Sequence, residues 1–269
     1  MRWATRPSVV YTLVALVGAA SFLYPFWLPA EALPGAAHAG DAPLVAAALG
    51  ALVVTAAALE LRNGTMNGAS VAILGVLAGA GGLLRIVDPP GGANGIFFLV
   101  ILAAVAFGAR FGALLGLLSM AAGAVVTGGI GPWLPYQMLS LAAVAALAGG
   151  LGALTRRWRP RPRLVALAAF GWIAGFLYGA VMNLSFWPYL AGDGPLAWRP
   201  GLGFVTTAQH YWSFYVTTSF AWDAAGAATN AVLILSLGPA LLAAFGRAAA
   251  RLEPVVVLDD RGPLQPSNR

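Results

Sequence analysis

The chain has 269 residues, of which 60% are hydrophobic and 9% charged, and its mean hydropathy is +0.81. A soluble domain carries about 25% charged residues, so the composition excludes a water-soluble globular protein and indicates one bundle of membrane helices. The sequence contains no Cys and no Lys, and all 15 basic residues are Arg. Disulfides, Cys-based metal sites, a P-loop lysine and Schiff-base chemistry are therefore excluded.

Apolar runs along the chain predict an all-α integral membrane protein with about eight transmembrane helices. The runs cover residues 9–28, 43–60, 69–86, 95–108, 111–127, 135–154, 164–187 and 213–246. The fourth and fifth runs are short and meet at Gly108, which predicts a tight hairpin of short or tilted helices. The last run is too long for a perpendicular helix, so it either tilts or begins in the membrane interface.

The distribution of Arg predicts the orientation of the bundle. With the N-terminus inside, thirteen Arg lie on the cytoplasmic side and only Arg85 and Arg199 lie outside. This bias follows the positive-inside rule and places both termini in the cytoplasm. The segment Arg156–Arg163 holds five of these Arg, and we interpret it as a topology and lipid-headgroup signal. The net charge of +6 is thus explained by membrane-flanking loops rather than by nucleic acid.

We divide the chain into three parts. Residues 1–66 are an accessory hairpin, residues 67–250 a six-helix substrate-binding core, and residues 251–269 a polar, Pro-containing tail predicted to be disordered. The two N-terminal runs hold few polar residues, whereas the chemistry is concentrated from residue 70 onward. Arg2, Arg6 and Ala37-His38-Ala39 resemble a cleaved signal peptide, but the apolar run between them is longer than usual, which favours retention.

Polar and aromatic residues gather on the predicted external side. Five Trp lie at or beyond that boundary and two lie at the internal one. An aromatic belt would place them at both boundaries, so a small-molecule site is the favoured interpretation and a belt the alternative. Pro132 and Pro135 flank Trp133 and restrict its direction. The candidate binding residues on this side are Asn94, Trp133, Gln137, Asn183, Trp187, Tyr211 and Trp212.

Asp223 is the only carboxylate placed well inside a predicted span. An unpaired charge in a membrane is costly, so Asp223 is expected to be paired or functional. Arg85 is the candidate partner, and both are candidate binding residues. A buried ion pair or hydrogen bond, direct ligand contact and a proton relay remain open. Asn183 and Asn230 are expected to form interhelical hydrogen bonds.

The sequence lacks a recognisable catalytic constellation. His38 and His210 are the only histidines, and neither has the spacing to carboxylates that a metal site needs. No Gly-x-Ser-x-Gly is present. A triad of His210, Ser213 and Asp223 can be drawn only arbitrarily. We therefore predict a protein that is not an enzyme and carries neither a metal nor a cofactor.

The first core run carries a stripe of small residues. Gly75 and Gly79 share one helix face, and Ala78 and Gly82 share another. Small residues at this spacing let a second helix approach closely. Packing within the core and docking to a separate membrane subunit are both consistent with the stripe.

The core resembles the substrate-specific S components of energy-coupling factor (ECF) vitamin transporters. The resemblance covers residues 70–250. It is carried by the small-residue helix ending in Leu83-Leu84-Arg85 and by the segments Asn94–Phe98, Phe107–Ala113, Thr127–Met138, Trp187-Pro188 and Trp222-Asp223. Within Thr127–Met138, the stretch Gly131-Pro132-Trp133-Leu134-Pro135-Tyr136-Gln137 is the most specific. The two extra N-terminal spans and the long external loop 188–212 depart from the usual plan.

The resemblance implies a subunit of an ABC importer in the cell membrane of a prokaryote. It implies an external site for a vitamin or related micronutrient, closed by the loop between the first two core helices. It also implies partners, namely an ECF coupling (T) subunit and two ABC ATPases, with Gly75, Ala78, Gly79 and Gly82 at the coupling interface. An intramembrane enzyme acting on a lipid or isoprenoid, for instance through Asp223 and His210, and a stand-alone carrier or scaffold remain alternatives. An aromatic site suits a planar ring, and the resemblance leans towards cobalamin-type members.

Overall fold

The computed structural model describes residues 7–27, 37–87, 94–190 and 194–252. Over these residues the chain is helical and contains no strand. The helices are α1 Pro7–Leu23, α2 Ala42–Arg62, α3 Gly68–Leu84, α4 Ile96–Phe107, α5 Ala109–Thr127, α6 Leu134–Leu154, α7 Pro160–Phe186, α8 Phe204–Thr218 and α9 Phe220–Leu252. Short 3-10 turns, Tyr24–Trp27 and Trp187–Tyr189, follow α1 and α7.

Six of the described helices are long and apolar enough to cross a membrane, which agrees with a multi-pass membrane protein. The six are α1 with its 3-10 turn, α2, α5, α6, α7 and α9. The helices α3 and α4 are apolar but shorter. At 1.5 Å per residue, the 12 residues of α4 extend for about 18 Å. Of the predicted tail, only Arg251 and Leu252 are described, and they end α9. The described residues also leave out four predicted loop residues, Asp88, Pro89, Pro90 and Asp193.

The last apolar run, expected either to tilt or to begin in the membrane interface, is divided between two helices. The chain breaks at Ser219, between α8 and α9. The residues before the break, Val216-Thr217-Thr218, are β-branched and form helices weakly. Ser219 also exchanges two hydrogen bonds with Asn183 of α7, at 2.7 and 3.0 Å. These two bonds hold the junction between α8 and α9 against α7.

The centre of the bundle is α4. Its residues Val100–Ala104 are fully buried, and the helix contacts α3, α5, α6, α7 and α9. Gly108 alone separates α4 from α5 and has φ +94°, a backbone conformation that favours glycine. This one-residue connection confirms the tight turn predicted there. The helices α1 and α2 pack on each other, with α1 also against α6 and α7 and α2 against α6.

Small residues set the distance between the packed helices. A Cβ atom on Gly116 of α5 would lie 2.9 Å from the backbone of Ala142 on α6, and one on Gly175 of α7 would lie 2.8 Å from Cα of Ala227 on α9. Backbones that approach this closely leave no room for a larger side chain. In lipid, such packing replaces the hydrophobic effect as the attraction between helices.

Adjacent glycines of α6 test this packing. A Cβ on Gly149 would lie 2.5 Å from Cα of Ala109, whereas one on Gly150 would have nothing within 4 Å. We expect Gly149→Ala to destabilise the fold by about 1–3 kcal/mol, as overpacking does. Gly150→Ala, the matched control, should be neutral or stabilising because Ala favours helix. Thermal unfolding in detergent measures both, and equal midpoints for the two variants would contradict the packing described here.

Candidate functional site

Two adjoining cavities lie at the end of the bundle opposite the Arg156–Arg163 segment. The small cavity has a volume of about 190 Å³ and is lined by Arg85, Asn94, Ile96, Phe97, Met120, Gln137, Gly175, Tyr178, Trp222, Asp223, Gly226 and Asn230. The large cavity has a volume of about 520 Å³ and is lined by Ala37, His38, Trp133, Gln137, Tyr178, Gly179, Met182, Asn183, Ser185, Phe186, Ser219 and Asp223. Gln137, Tyr178 and Asp223 line both, so the cavities are neighbours.

The structure brings six of the nine predicted binding residues to these cavities. Arg85, Asn94, Gln137 and Asp223 line the small cavity, and Trp133 and Asn183 line the large one. They come from the end of α3, the start of α4, the start of α6, the end of α7 and the start of α9. Antiparallel neighbours place these helix ends together, although the residues are far apart in sequence.

Arg85 follows the last residue of α3 and reaches across to α5. Its Nη1 donates to the backbone carbonyl of Met120 at 3.4 Å and to the Met120 sulfur at 3.1 Å. The aliphatic part of the side chain lies over Gly123, where any Cβ would clash with it. Arg85 and Asp223 share the small cavity, but no ion pair joins them among the described residues. The two side chains therefore line one cavity from separate positions.

Asp223 lies in the first turn of α9 rather than deep within a span. The break at Ser219 moves it there, and the helix N-terminus stabilises a carboxylate. The hydroxyl of Tyr215 donates to Oδ2 of Asp223 at 2.8 Å. On the other side, Gly179 of α7 has no side chain, and a Cβ atom there would collide with the carboxyl group. The position of the carboxylate is thus set by Tyr215 and by the space at Gly179.

Two amide oxygens in the small cavity have no hydrogen-bond donor among the described residues. They are Oε1 of Gln137 and Oδ1 of Asn230. Asn230 is only 2% exposed, and its Nδ2 donates to the Gly171 carbonyl at 3.4 Å, as expected for an interhelical bond. A buried acceptor without a donor costs roughly 1–3 kcal/mol. Together with Asp223, these acceptors form a wall that a ligand with N–H or O–H groups would satisfy.

Asn183 connects the large cavity to the α8–α9 junction. It is buried on α7, and its two hydrogen bonds to Ser219 confirm the interhelical role expected of it. Because its amide nitrogen and its amide oxygen both bond to the Ser219 hydroxyl, Asn183 holds the cavity wall in place. Trp133 is 52% exposed at the mouth of the same cavity, and its Nε1 donates to the Gly129 carbonyl at 3.2 Å.

Three predicted binding residues do not line either cavity. Trp187 is buried against Tyr211 and Phe214, and its Nε1 donates to the Leu196 carbonyl at 2.8 Å. The Tyr211 hydroxyl donates to the Ala180 carbonyl. Trp212 is 60% exposed. Trp187 and Tyr211 therefore hold α8 and the 194–203 segment against α7.

A polar cluster that the sequence did not predict borders the large cavity at His38. His38, which is 2% exposed and has φ +60°, lies in the turn before α2. Its Nε2 donates to the Ser185 carbonyl on α7, and its Nδ1 lies 3.0 Å from Oδ2 of Asp41. The hydroxyl of Tyr136 on α6 donates to the same Asp41 oxygen. Residues 37 and 38, in the turn before α2, thus form part of the candidate site. His-x-x-Asp directly before an apolar run was the available signal.

The surroundings of Asp41 favour its charged form. Burial alone would raise the pKa of this carboxyl, but hydrogen bonds from Tyr136 and His38 outweigh burial and hold the pKa below its ordinary value. Because its pKa is depressed, the Asp41 carboxylate stabilises the fold at pH values above its ordinary pKa. This stabilisation is lost as the pH falls through the lowered pKa. Asp41 is therefore charged at neutral pH.

The residues named for catalysis are not brought together. His210 does not line either cavity, and its Nδ1 bonds to the Ala197 carbonyl at 2.9 Å. Within residues 7–27, 37–87, 94–190 and 194–252, no group of three or more His, Asp or Glu residues is arranged to hold a metal ion.

The small-residue stripe of α3 divides between two environments. Ala78 and Gly82 are buried, and a Cβ on Gly82 would lie 2.9 Å from the Gly123 nitrogen of α5. Gly75 and Gly79 are exposed with open space around them. The first pair packs within the chain, and the second pair lies on the surface of the described helices.

Comparison with models of protein families, with curated proteins and with solved structures gives no match to this chain. The function must therefore be inferred from its own residues.

The hydrogen bond between Tyr136 and Asp41 gives a test of the polar cluster at His38. We expect Tyr136→Phe and Asp41→Asn to lower stability at neutral pH and to show a coupling of about 1–3 kcal/mol in a double-mutant cycle, since the bond involves a charged acceptor. Thermal or denaturant unfolding in detergent gives the four values. Thr55→Ala lies on α2 and bonds only to the Ala51 carbonyl, so it should be additive with Tyr136→Phe. Additivity of Tyr136→Phe with Asp41→Asn would contradict the contact.

Proposed function

We propose that this chain is the substrate-specific S component of an ECF-type ABC importer that binds a vitamin or related micronutrient at the external face. The observation that carries the proposal is the convergence of Arg85, Asn94, Gln137 and Asp223 on one cavity. Asn94 and Gln137 are polar residues on the predicted external side, and Arg85 and Asp223 are charges that are costly in a membrane. Their convergence supports a binding site more strongly than any one of them.

The walls of the small cavity indicate the kind of ligand. Phe97 and Tyr178 meet edge to face at 4.8 Å, and Trp222 adds a third ring. Acceptors from Asp223, Asn230 and Gln137 lie in the same cavity as the guanidinium of Arg85. A planar heterocycle with N–H or O–H donors and one acceptor or anionic group complements this arrangement. The adjoining large cavity has room for a substituent on the ring.

The proposed orientation places this site outside and the Arg156–Arg163 segment in the cytoplasm. Eight membrane crossings, with α8 as an additional helix on the external side, would leave both termini cytoplasmic in the cell membrane of a prokaryote. In this proposal the chain does not perform catalysis. A coupling subunit and two ABC ATPases supply the energy, and the exposed Gly75 and Gly79 face of α3 contacts the coupling subunit.

A stand-alone carrier is the second candidate, and one observation favours it. A further cavity of about 520 Å³ lies at the opposite end of the bundle and is lined by polar residues that include Glu60, Asn67, Ser70 and Arg110. Glu60 is 2% exposed and forms an ion pair with Arg110 at 3.6 Å. Cavities at both ends of the bundle suit a self-contained carrier, which must open its binding site to each side of the membrane in turn. The intramembrane enzyme is less favoured because His210 and Asp223 do not share a cavity.

Native mass spectrometry of gently extracted protein tests the binding site. We expect a bound small molecule on the wild type and at least a roughly tenfold loss of occupancy in Asp223→Asn, because a charged acceptor is removed. Ser236→Ala is the control, since Ser236 is exposed on the same helix and bonds only to backbone carbonyls of α9. Equal occupancy in both variants, or no ligand on the folded wild type, would exclude this site.

A second experiment tests the partners. Gly75→Leu with Gly79→Leu should leave folding unchanged, since both positions are open, but should reduce co-purification of the coupling subunit and ATPases from the native host roughly tenfold or more. Gly50→Leu on α2 is the matched control, because Gly50 is equally open. Retention of partners by the double variant would contradict the α3 interface. Uptake of the ligand by the chain alone in vesicles would favour the carrier instead.

A further inference from the structure

A cavity of about 320 Å³ lies at the inner end of the bundle, where the start of α7 meets the middle of α9. It is remote from the candidate site, so a role for this cavity does not depend on the proposed transport function. The described residues that line it combine two guanidinium groups with apolar surface and include no carboxylate.

The polar side of this cavity consists of Arg161 and Arg163 in the first turn of α7. Nε of Arg163 is buried and has no hydrogen-bond partner among the described residues. A buried guanidinium nitrogen without an acceptor is costly, and an anionic oxygen is its natural complement. The positive end of the 27-residue helix α7 adds to the attraction for an anion.

The other side of the cavity is apolar. Leu164 and Leu242 face each other across it, and Pro239 interrupts the backbone hydrogen bonding of α9 beside them. Leu164 also lies over Gly238, where a Cβ would be 2.9 Å from Cδ1 of Leu164. Trp158, 52% exposed, forms the rim, a position typical of Trp at the level of lipid headgroups.

We propose that this cavity binds one anionic phospholipid, with its phosphate between Arg161 and Arg163 and an acyl chain along Leu164 and Leu242. A phosphate alone would use only the guanidinium groups. A zwitterionic lipid would bring a cation into a cavity that already holds two positive charges and, among the residues lining it, no carboxylate. An anionic lipid complements both halves.

Lipid titration of the purified full chain by native mass spectrometry tests the proposal. The probes are phosphatidylglycerol, phosphatidylcholine and inorganic phosphate. We expect one retained phosphatidylglycerol, no retained phosphatidylcholine, and no displacement by millimolar phosphate. Arg161→Gln with Arg163→Gln should reduce retention at least roughly tenfold, as expected for loss of two charge-assisted contacts.

The matched control is Arg156→Gln with Arg157→Gln, which removes the same charge from the same segment but does not touch the cavity. This control should retain the lipid. Equal loss in both double variants would show diffuse attraction to basic residues and overturn the proposal, as would equal retention of the two lipids. Displacement by inorganic phosphate would assign the cavity to free phosphate instead.

Leu242→Trp, which fills the apolar side with both Arg intact, should also lose the lipid, and retention by this variant would exclude the acyl-chain position.

Discussion

The close approach of helix backbones through small side chains is the constraint on which the rest of the structure depends. Lipid is as apolar as a leucine side chain, so helices in a membrane gain little by hiding apolar surface from one another. Contact between backbones, as at Gly116 and Ala142 or at Gly175 and Ala227, supplies the attraction instead. The fully buried α4 is the result, with five other helices packed around it.

The same packing builds the candidate site. Two glycines beside the candidate site leave space for polar side chains. Gly123 accommodates the chain of Arg85, and Gly179 accommodates the carboxyl group of Asp223. The two charges therefore occupy separate positions around one cavity instead of neutralising each other. At the opposite end of the bundle, Gly238 and Pro239 of α9 lie beside Leu164 and Arg163. Small or helix-disrupting residues thus lie beside cavities at both ends.

Much of the helix pattern was predictable from sequence, because long apolar runs and Pro/Gly/Asn turns are local signals. The predicted runs from 43–60 through 135–154 agree with α2–α6 to within two residues at each end. The break at Ser219 was missed because Val216-Thr217-Thr218 lowers helix propensity only weakly and no Gly or Pro marks the position. The hydrogen bond of Ser219 to Asn183, which lies 36 residues earlier, is not a local signal. Trp187 and Tyr211 were misplaced for a similar reason, since an aromatic residue near a boundary can face a cavity or a neighbouring helix equally well.

What the sequence by itself determined is the apolar helical character of the chain, the asymmetry of its Arg residues and the short set of polar residues that must be satisfied within it. Only the tertiary structure decided which of those residues share a space. His38 and Asp41 join Tyr136 across nearly a hundred residues, and Arg85, Gln137 and Asp223 meet from three different helix ends. Helix packing in lipid depends on the shapes of whole faces, and these faces form only when distant segments meet.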